Sequence, residues 1–154
     1  MSAVSDRLVA LGIVMPTQAA APAGTYVPAV ISGNYVYTAG QLPYVGGVLT
    51  ATGKVGTEIT VQDAAAYARV AAVNALAAVE AALGSLDRVR RIVKVVGFVA
   101  SDPGFFGQPE VLDGASDLLG AVFGDAGTHA RSAVGVAVLP LNAPVEVELV
   151  VEFS

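Results

Sequence analysis

The spacing of apolar residues changes from one segment of this 154-residue chain to the next, and these changes predict the order of its helices and strands. Residues 60–83 carry apolar side chains at helical spacing, with Thr60 as the predicted N-cap and Gly84 as the stop. Residues 89–101 are too continuously apolar to form a strand with a wet face, and residues 109–123 return to helical spacing. The middle of the chain therefore predicts a helix, a buried strand and a second helix.

Strand-like segments flank this series on both sides. Residues 26–31 and 35–41 predict two strands joined by a tight hairpin. Residues 130–138 and 145–153 predict a second hairpin around the turn 139–144. The core order is thus β-β-α-β-α-β-β, an α+β domain with a mixed sheet. Two such helices cover only one face of the sheet, so the other face needs a partner.

A short N-terminal helix precedes this core. Residues 2–14 have helical spacing, Pro16 ends the element, and a connector rich in Ala, Pro and Gly follows. We therefore interpret residues 1–154 as a single domain. Residues 1–23 form its N-terminal helix and connector, and residues 24–154 form its core fold.

Composition narrows the classes of function. Hydrophobic residues make up 55% of the chain and charged residues 14%, which suggests that self-association hides some apolar surface. A net charge of -5 without clustered cations argues against nucleic-acid binding. The absence of Cys and the presence of one His exclude disulfides, thiolate catalysis and a metal site rich in Cys or His. We see neither a signal peptide nor an uninterrupted membrane-length apolar run, and expect a cytoplasmic protein.

The predicted C-terminal hairpin gives a register for Arg131. If Val138 faces Val145, then Arg131 lies opposite Glu152 and shares the sparse, acidic face that points away from the helices. A cross-strand ion pair with Glu152 is the commoner use of such a charge, and a ligand-binding arginine is the alternative. Glu146 shares this face but lies about 20 Å along the strands. Arg131 and Glu146 would meet only across a subunit boundary.

Several motifs in chain order resemble the RidA (YjgF, L-PSP) superfamily. Residues 131–140, RSAVGVAVLP, followed by residues 145–149, VEVEL, look like its C-terminal signature. Residues 35–43, YVYTAGQLP, resemble its first sheet motif. Residues 113–119, DGASDLL, together with 129–136, HARSAVGV, look like a divergent subgroup with an extra N-terminal helix.

This resemblance implies a chorismate-mutase-like fold assembled as a homotrimer, whose three sheets form a central barrel with clefts between subunits. It also implies hydrolysis of reactive enamines and imines of amino acids to 2-oxo acids and ammonia, without metal or organic cofactor. Two other functions stay open. One is a non-catalytic trimer that binds small carboxylates, and the other, weaker one is an endoribonuclease.

The resemblance also assigns site residues. The guanidinium of Arg131 would hold the substrate carboxylate as a bidentate pair, a geometry that Lys cannot copy. Glu146 would position or activate the attacking water. Tyr26 and the backbone of Ala39 and Gly40 match positions that line the cleft.

Four positions depart from the family pattern. Ala133 stands where many active members have Cys, although its backbone carbonyl still accepts a hydrogen bond, and Ala39 replaces a hydroxyl residue. Asp113 stands where Asn is usual, and His129 replaces a Pro. Ala133 and Asp113 complete the set of substrate-binding candidates. These changes keep the carboxylate clamp and leave the substrate open.

Each candidate also has a structural interpretation. Glu146 is alternatively a solvated charge, and Tyr26 a packed strand aromatic. Asp113 is alternatively a cap or a solvated residue of the second helix. His129 is either a strand-edge residue or, because it alternates onto the face of Arg131, a group that tunes the charge of the pocket.

Overall fold

A five-stranded mixed sheet with two long helices on one face forms the body of the computed structural model, which describes residues 3–154. The sheet has the order β1-β2-β7-β5-β6, and β3 and β4 form a separate small hairpin. The strands are β1 (Ala29–Ser32), β2 (Tyr35–Thr38), β3 (Tyr44–Val45), β4 (Val48–Leu49), β5 (Val89–Ala100), β6 (Ala130–Val136) and β7 (Val145–Phe153). The helices are α1 (Ala3–Ala10), α2 (Val61–Leu83) and α3 (Gln108–Phe123).

Helix α2 begins and ends where the sequence predicts. The Thr60 hydroxyl accepts a 3.1 Å hydrogen bond from the backbone N–H of Asp63, and Gly84 caps the C-terminus with φ at 81°. Its buried face consists mainly of alanines, so α3 packs closely against it. By length and composition α2 could cross a membrane, but 56% of its apolar window is buried inside the domain, the position of a core helix.

The covered and uncovered faces of the sheet alternate along β7. Val145, Val147, Leu149 and Val151 are buried under the helices, whereas the residues between them point to the other side. No helix covers that other face within residues 3–154. It carries half-exposed apolar side chains: Val30, Tyr37 and Val134.

Helix α1 is shorter than the predicted helix 2–14. Residue 2 lies outside the described residues, and the helix ends at Ala10 because Gly12 turns the backbone at a φ of 67°. Val4 and Leu8 bury one face of α1 in the core. Arg7 Nη1 donates a 3.0 Å hydrogen bond to the carbonyl of Val122, which ties α1 to the end of α3.

The prediction that β6 and β7 form a hairpin is wrong, because β5 lies between them. β5 pairs antiparallel with β7 and parallel with β6. The crossover β5-α3-β6 is the usual way to join parallel strands, and it places the most continuously apolar strand in the sheet interior. Residues 137–144 therefore pass across the end of β5.

This strand order also overturns the predicted partner of Arg131. Arg131 lies beside Val95 of β5, while Glu152 lies beside Arg91 on the other edge of β5. The expected Arg131–Glu152 ion pair does not form. Because Val95 faces the helices, Arg131 faces them too, so the predicted assignment of faces along β6 is inverted.

The first strand also begins later than predicted. It starts at Ala29, so Tyr26 belongs to the connector before the strand and is not a strand residue. β2 ends at Thr38, and Gln41 forms an isolated bridge with Val147 of β7.

Candidate functional site

The Arg131 side chain is held by α3. Its Nη1 donates one hydrogen bond to Asp113 Oδ1 at 2.7 Å and another to Ser116 Oγ at 3.1 Å. The Arg131 side chain is 23% exposed and the Asp113 side chain 56%, so this ion pair lies at the protein surface. The negative charge of Asp113 is therefore paired. It does not stand alone beside the guanidinium.

Both internal bonds use the same nitrogen of Arg131. Its Nη2 and Nε atoms make no hydrogen bond to any residue among 3–154. These two nitrogens form the side edge of the guanidinium, whose parallel N–H groups match the two oxygens of a carboxylate. The contacts with Asp113 and Ser116 thus hold Arg131 by Nη1 and leave a bidentate edge open.

A second contact chain reaches Arg131 from the residues before β6. His129 Nε2 lies 2.9 Å from Ser116 Oγ, and His129 Nδ1 lies 2.6 Å from the carbonyl oxygen of Gly127. Ser116 therefore contacts both the arginine and the histidine. Ser116 and Asp113 are three residues apart on α3, a spacing that puts them on one helix face.

Glu146 lies on the uncovered face of the sheet, at the other side of β5. It is the register partner of Phe98, and its carboxylate packs against Gly40. A Cβ at position 40 would come within 2.7 Å of Glu146 Cδ, so only glycine leaves room for this approach. The bridge between Gln41 and Val147 holds the two segments in that position.

The surroundings of Glu146 disfavour its ionised form. Burial raises the pKa of Glu146 above its ordinary value, and the nearby Glu148 carboxylate raises it further. Burial also raises the pKa of Glu148. A carboxyl group whose pKa moves towards neutrality both accepts and returns a proton more readily than an ordinary surface glutamate.

Tyr26, Ala39 and Gly40 lie on the Glu146 side of the molecule. Tyr26 and Gly40 line a small cavity of about 50 Å³. The Tyr26 hydroxyl accepts a 3.1 Å hydrogen bond from the backbone N–H of Ala23, and the ring is half-exposed. The N–H of Ala39 donates to Pro28, and its carbonyl accepts from the Gln41 side chain.

A larger groove adjoins this cavity. It has a volume of about 880 Å³ and lies between the connector of residues 12–21, the β3–β4 hairpin and α2. The cavity and the groove share the lining residues Ala20, Ala21 and Tyr44. The N-terminal connector therefore forms a wall beside the Tyr26 side of the site.

One subunit does not bring all predicted site residues together. Arg131, Asp113 and Ala133 lie at the edge strand β6 on the helix side, where Ala133 is the register partner of Gly97. Glu146 and its neighbours lie on the opposite face, with β5 in between. No group of three or more His, Asp or Glu residues within the described part of the chain could hold a metal ion.

Comparison with known proteins places this geometry in a family. Residues 5–153 match the family described as YjgF/chorismate mutase-like, putative endoribonuclease. The chain belongs to the RidA (YjgF) superfamily. This finding confirms the family that the sequence motifs indicate, and the fold described above is the fold of that family.

Three relatives show how much of the molecule the RidA similarity covers. Protein TCP17 of Trypanosoma cruzi is 49% identical over 98% of this chain and 94% of its own length. Atu1372 from Agrobacterium tumefaciens, a protein with unknown function, is 46% identical in sequence to this chain. Its crystal structure matches with a TM-score of 0.92 over 99% of this chain and 93% of that one. E. coli TdcF, solved with bound serine, is 27% identical, with a TM-score of 0.66 over 92% of this chain and 98% of that one.

Ser116 and Gly127 are not among the site residues predicted from the sequence of this RidA superfamily member. The signal for Ser116 was present, because Asp113 and Ser116 have the spacing of neighbours on one helix face. The spacing alone does not point to Arg131, because the predicted hairpin of β6 and β7 gives α3 no reason to contact it. The contact from Gly127 depends on a main-chain carbonyl, for which the sequence has no marker.

Proposed function

We propose that this chain forms a homotrimeric deaminase that hydrolyses small 2-imino or enamine acids to 2-oxo acids and ammonia, and that it does so in the cytoplasm. The open Nε–Nη2 edge of Arg131 is the observation that carries this proposal, because a guanidinium held on one nitrogen is ready to take a carboxylate on the other two. The bound serine of TdcF supports the ligand class, since serine carries such a carboxylate.

The uncovered face of the sheet supports the trimer. Val30, Tyr37 and Val134 expose between 46% and 53% of their surface there, in a domain that has already buried its other face. Three such faces packed around a common axis would form a closed barrel. Because β6 is an edge strand, its Arg131 would then border the neighbouring subunit and could meet that subunit's Glu146.

The reaction needs only a held carboxylate and a proton carrier. As water attacks the iminium carbon, its proton passes to the Glu146 carboxylate and the C=N electrons move to nitrogen. Glu146 then returns the proton to the amino group, the C–N bond breaks and the C=O bond forms. Ammonia departs with the remaining hydroxyl proton as ammonium. The raised pKa of Glu146 suits both transfers.

Release of ammonia and 2-oxo acid from enzymatically generated 2-imino acids tests the proposal. We expect Arg131→Ala to lose most of the activity, and Arg131→Lys to recover little, because an ammonium group cannot form the bidentate pair. Arg90→Ala is the matched control, since Arg90 is exposed and bonds only to Ser154 among the described residues. Equal rates for the wild type and Arg131→Ala would refute the role of Arg131.

A trimer that binds small carboxylates without turnover is the second candidate. It is favoured by Ala133, whose methyl group provides no reactive atom at a position beside the Arg131 clamp. This candidate predicts that a short 2-oxo acid raises the melting temperature in an Arg131-dependent way while no ammonia is released. The endoribonuclease function is weaker, because the chain is acidic and its one His bonds to Ser116 and Gly127.

A further inference from the structure

In the neutral His129 ring, the contacts indicate which nitrogen carries the proton. The carbonyl oxygen of Gly127, 2.6 Å from Nδ1, can only accept a hydrogen bond, so Nδ1 donates. In the neutral imidazole Nε2 is then an acceptor. Its neighbour at 2.9 Å is the hydroxyl of Ser116, which donates to it.

This orientation of the Ser116 hydroxyl also suits Arg131. Once the Ser116 proton points to His129, the lone pairs of Oγ face the other contact, Arg131 Nη1 at 3.1 Å. Nη1 can only donate. One direction of hydrogen bonding, from Arg131 Nη1 to Ser116, from Ser116 to His129 and from His129 to the Gly127 carbonyl, is therefore consistent with all three contacts.

The hydrogen-bond chain restricts how the guanidinium can turn. Asp113 alone would hold Nη1 at one point and leave the plane of the guanidinium free to rotate about it. Ser116 adds a second point on the same nitrogen, and His129 fixes the hydroxyl that provides it. Two fixed points define the plane and so aim the open Nε–Nη2 edge.

We propose that Ser116 and His129 are positioning residues, which set the direction of the Arg131 edge that receives the substrate carboxylate. Neither residue needs to touch the substrate. The inference rests on the proposed carboxylate-binding role of Arg131 and deepens it. It predicts that loss of either residue weakens carboxylate binding while the folded domain persists.

Four variants separate positioning from packing. Ser116→Ala removes the hydroxyl, and Ser116→Thr restores it. His129→Asn keeps an N–H near the Gly127 carbonyl but does not reach Ser116. His129→Gln instead places an amide oxygen at the distance of Nε2, where it can accept from Ser116. Asp117→Ala is the control, because Asp117 is exposed beside Ser116 on α3 and makes no ion pair within residues 3–154.

The affinity for pyruvate, measured by calorimetry alongside the melting temperature, is the main readout. We expect Ser116→Ala and His129→Asn to weaken pyruvate binding by roughly tenfold, the order expected for one lost hydrogen bond to a charged group. Ser116→Thr and His129→Gln should recover most of the affinity. In the deaminase assay the first two variants should raise KM more than they lower kcat, because they misdirect binding and leave Glu146 intact.

The outcomes are distinguishable. Wild-type affinity in both Ser116→Ala and His129→Asn, with Arg131→Ala still impaired, would overturn the positioning role and leave the proposed function standing. A lowered melting temperature with unchanged pyruvate affinity would assign the two residues to packing and also overturn it. Failure of the wild type to bind pyruvate, or equal binding by Arg131→Ala, would overturn the proposed carboxylate site together with this inference.

Discussion

Replacing Gly114 by alanine would test whether close packing of α3 on α2 holds the Arg131 partners in place. Gly114 follows Asp113 on α3, where the two helices meet. A Cβ added there would lie 2.7 Å from the carbonyl carbon of Ala65 and would overlap its carbonyl oxygen. Ordinary contact begins at 3.4 Å, so the backbones must separate by at least the difference, 0.7 Å.

The expected loss follows from two opposing effects. Overpacking against backbone atoms costs up to about 3 kcal/mol, whereas alanine gains about 1 kcal/mol over glycine in a helix. We therefore expect Gly114→Ala to lower the free energy of unfolding by about 2 kcal/mol. Gly120→Ala on the same helix is the control, because its Cβ would meet nothing within 4 Å and only the gain of about 1 kcal/mol remains.

Thermal unfolding followed by circular dichroism measures the difference. The two variants should differ by about 3 kcal/mol, which corresponds to a difference in Tm of roughly 6–12 °C for a chain of this size. Because α3 also carries Asp113 and Ser116, only Gly114→Ala should weaken binding of pyruvate. Equal Tm values for the two variants, or a higher value for Gly114→Ala, would refute the packing argument.

Two further predictions concern the uncovered face of the sheet. Val134→Glu places a charge on the face that the proposed trimer would bury. By analytical ultracentrifugation we expect three times 15.4 kDa, the mass of the proposed trimer, for the wild type and 15.4 kDa for Val134→Glu. Val14→Glu, at a position 88% exposed, should keep the wild-type mass, and a Val134→Glu variant with the mass of a trimer would contradict this. Because burial raises the pKa of Glu146, the folded state binds more protons, and stability should fall as pH rises from 4.5 through that raised value. Glu146→Gln should flatten this decline in Tm, and an unchanged pH profile would argue against it.

Caps, turns and the spacing of apolar residues predict the long helices and the main strands. Helix α2 starts after Thr60 and ends before Gly84. The Thr60 cap and the left-handed Gly84 depend only on residues within one helical turn, so both can be recognised in the sequence. The alternation of β7 likewise survives in the structure, with Val145 buried and Glu146 facing the other side. The sequence predicts strand in the connector before β1, because Tyr26 and Val27 have high strand propensity. The structure shows that these two residues have no strand partner.

Pairing between distant segments could not be predicted in the same way. The predicted hairpin of β6 and β7 agrees with the turn signal and with the alternation of apolar residues along both strands. It is wrong because strands that are consecutive in sequence are not always neighbours in the sheet. Because β5 lies between β6 and β7, Arg131 lies on the helix side of the sheet, where it pairs with Asp113 and not with Glu152. The same strand order brings Ser116 into contact with Arg131, and His129 into contact with Ser116.

The family, the series of helices and strands, and the choice of Arg131 and Glu146 as candidate site residues can all be predicted from the amino-acid sequence. These follow from periods, caps and motifs that lie within short stretches of chain. The contacts of each charge cannot be predicted in this way, because a side-chain contact depends on which strands are adjacent in the folded sheet and on which face each residue lies. Arg131 therefore keeps one guanidinium edge open and ends on α3, whereas Glu146 packs against Gly40.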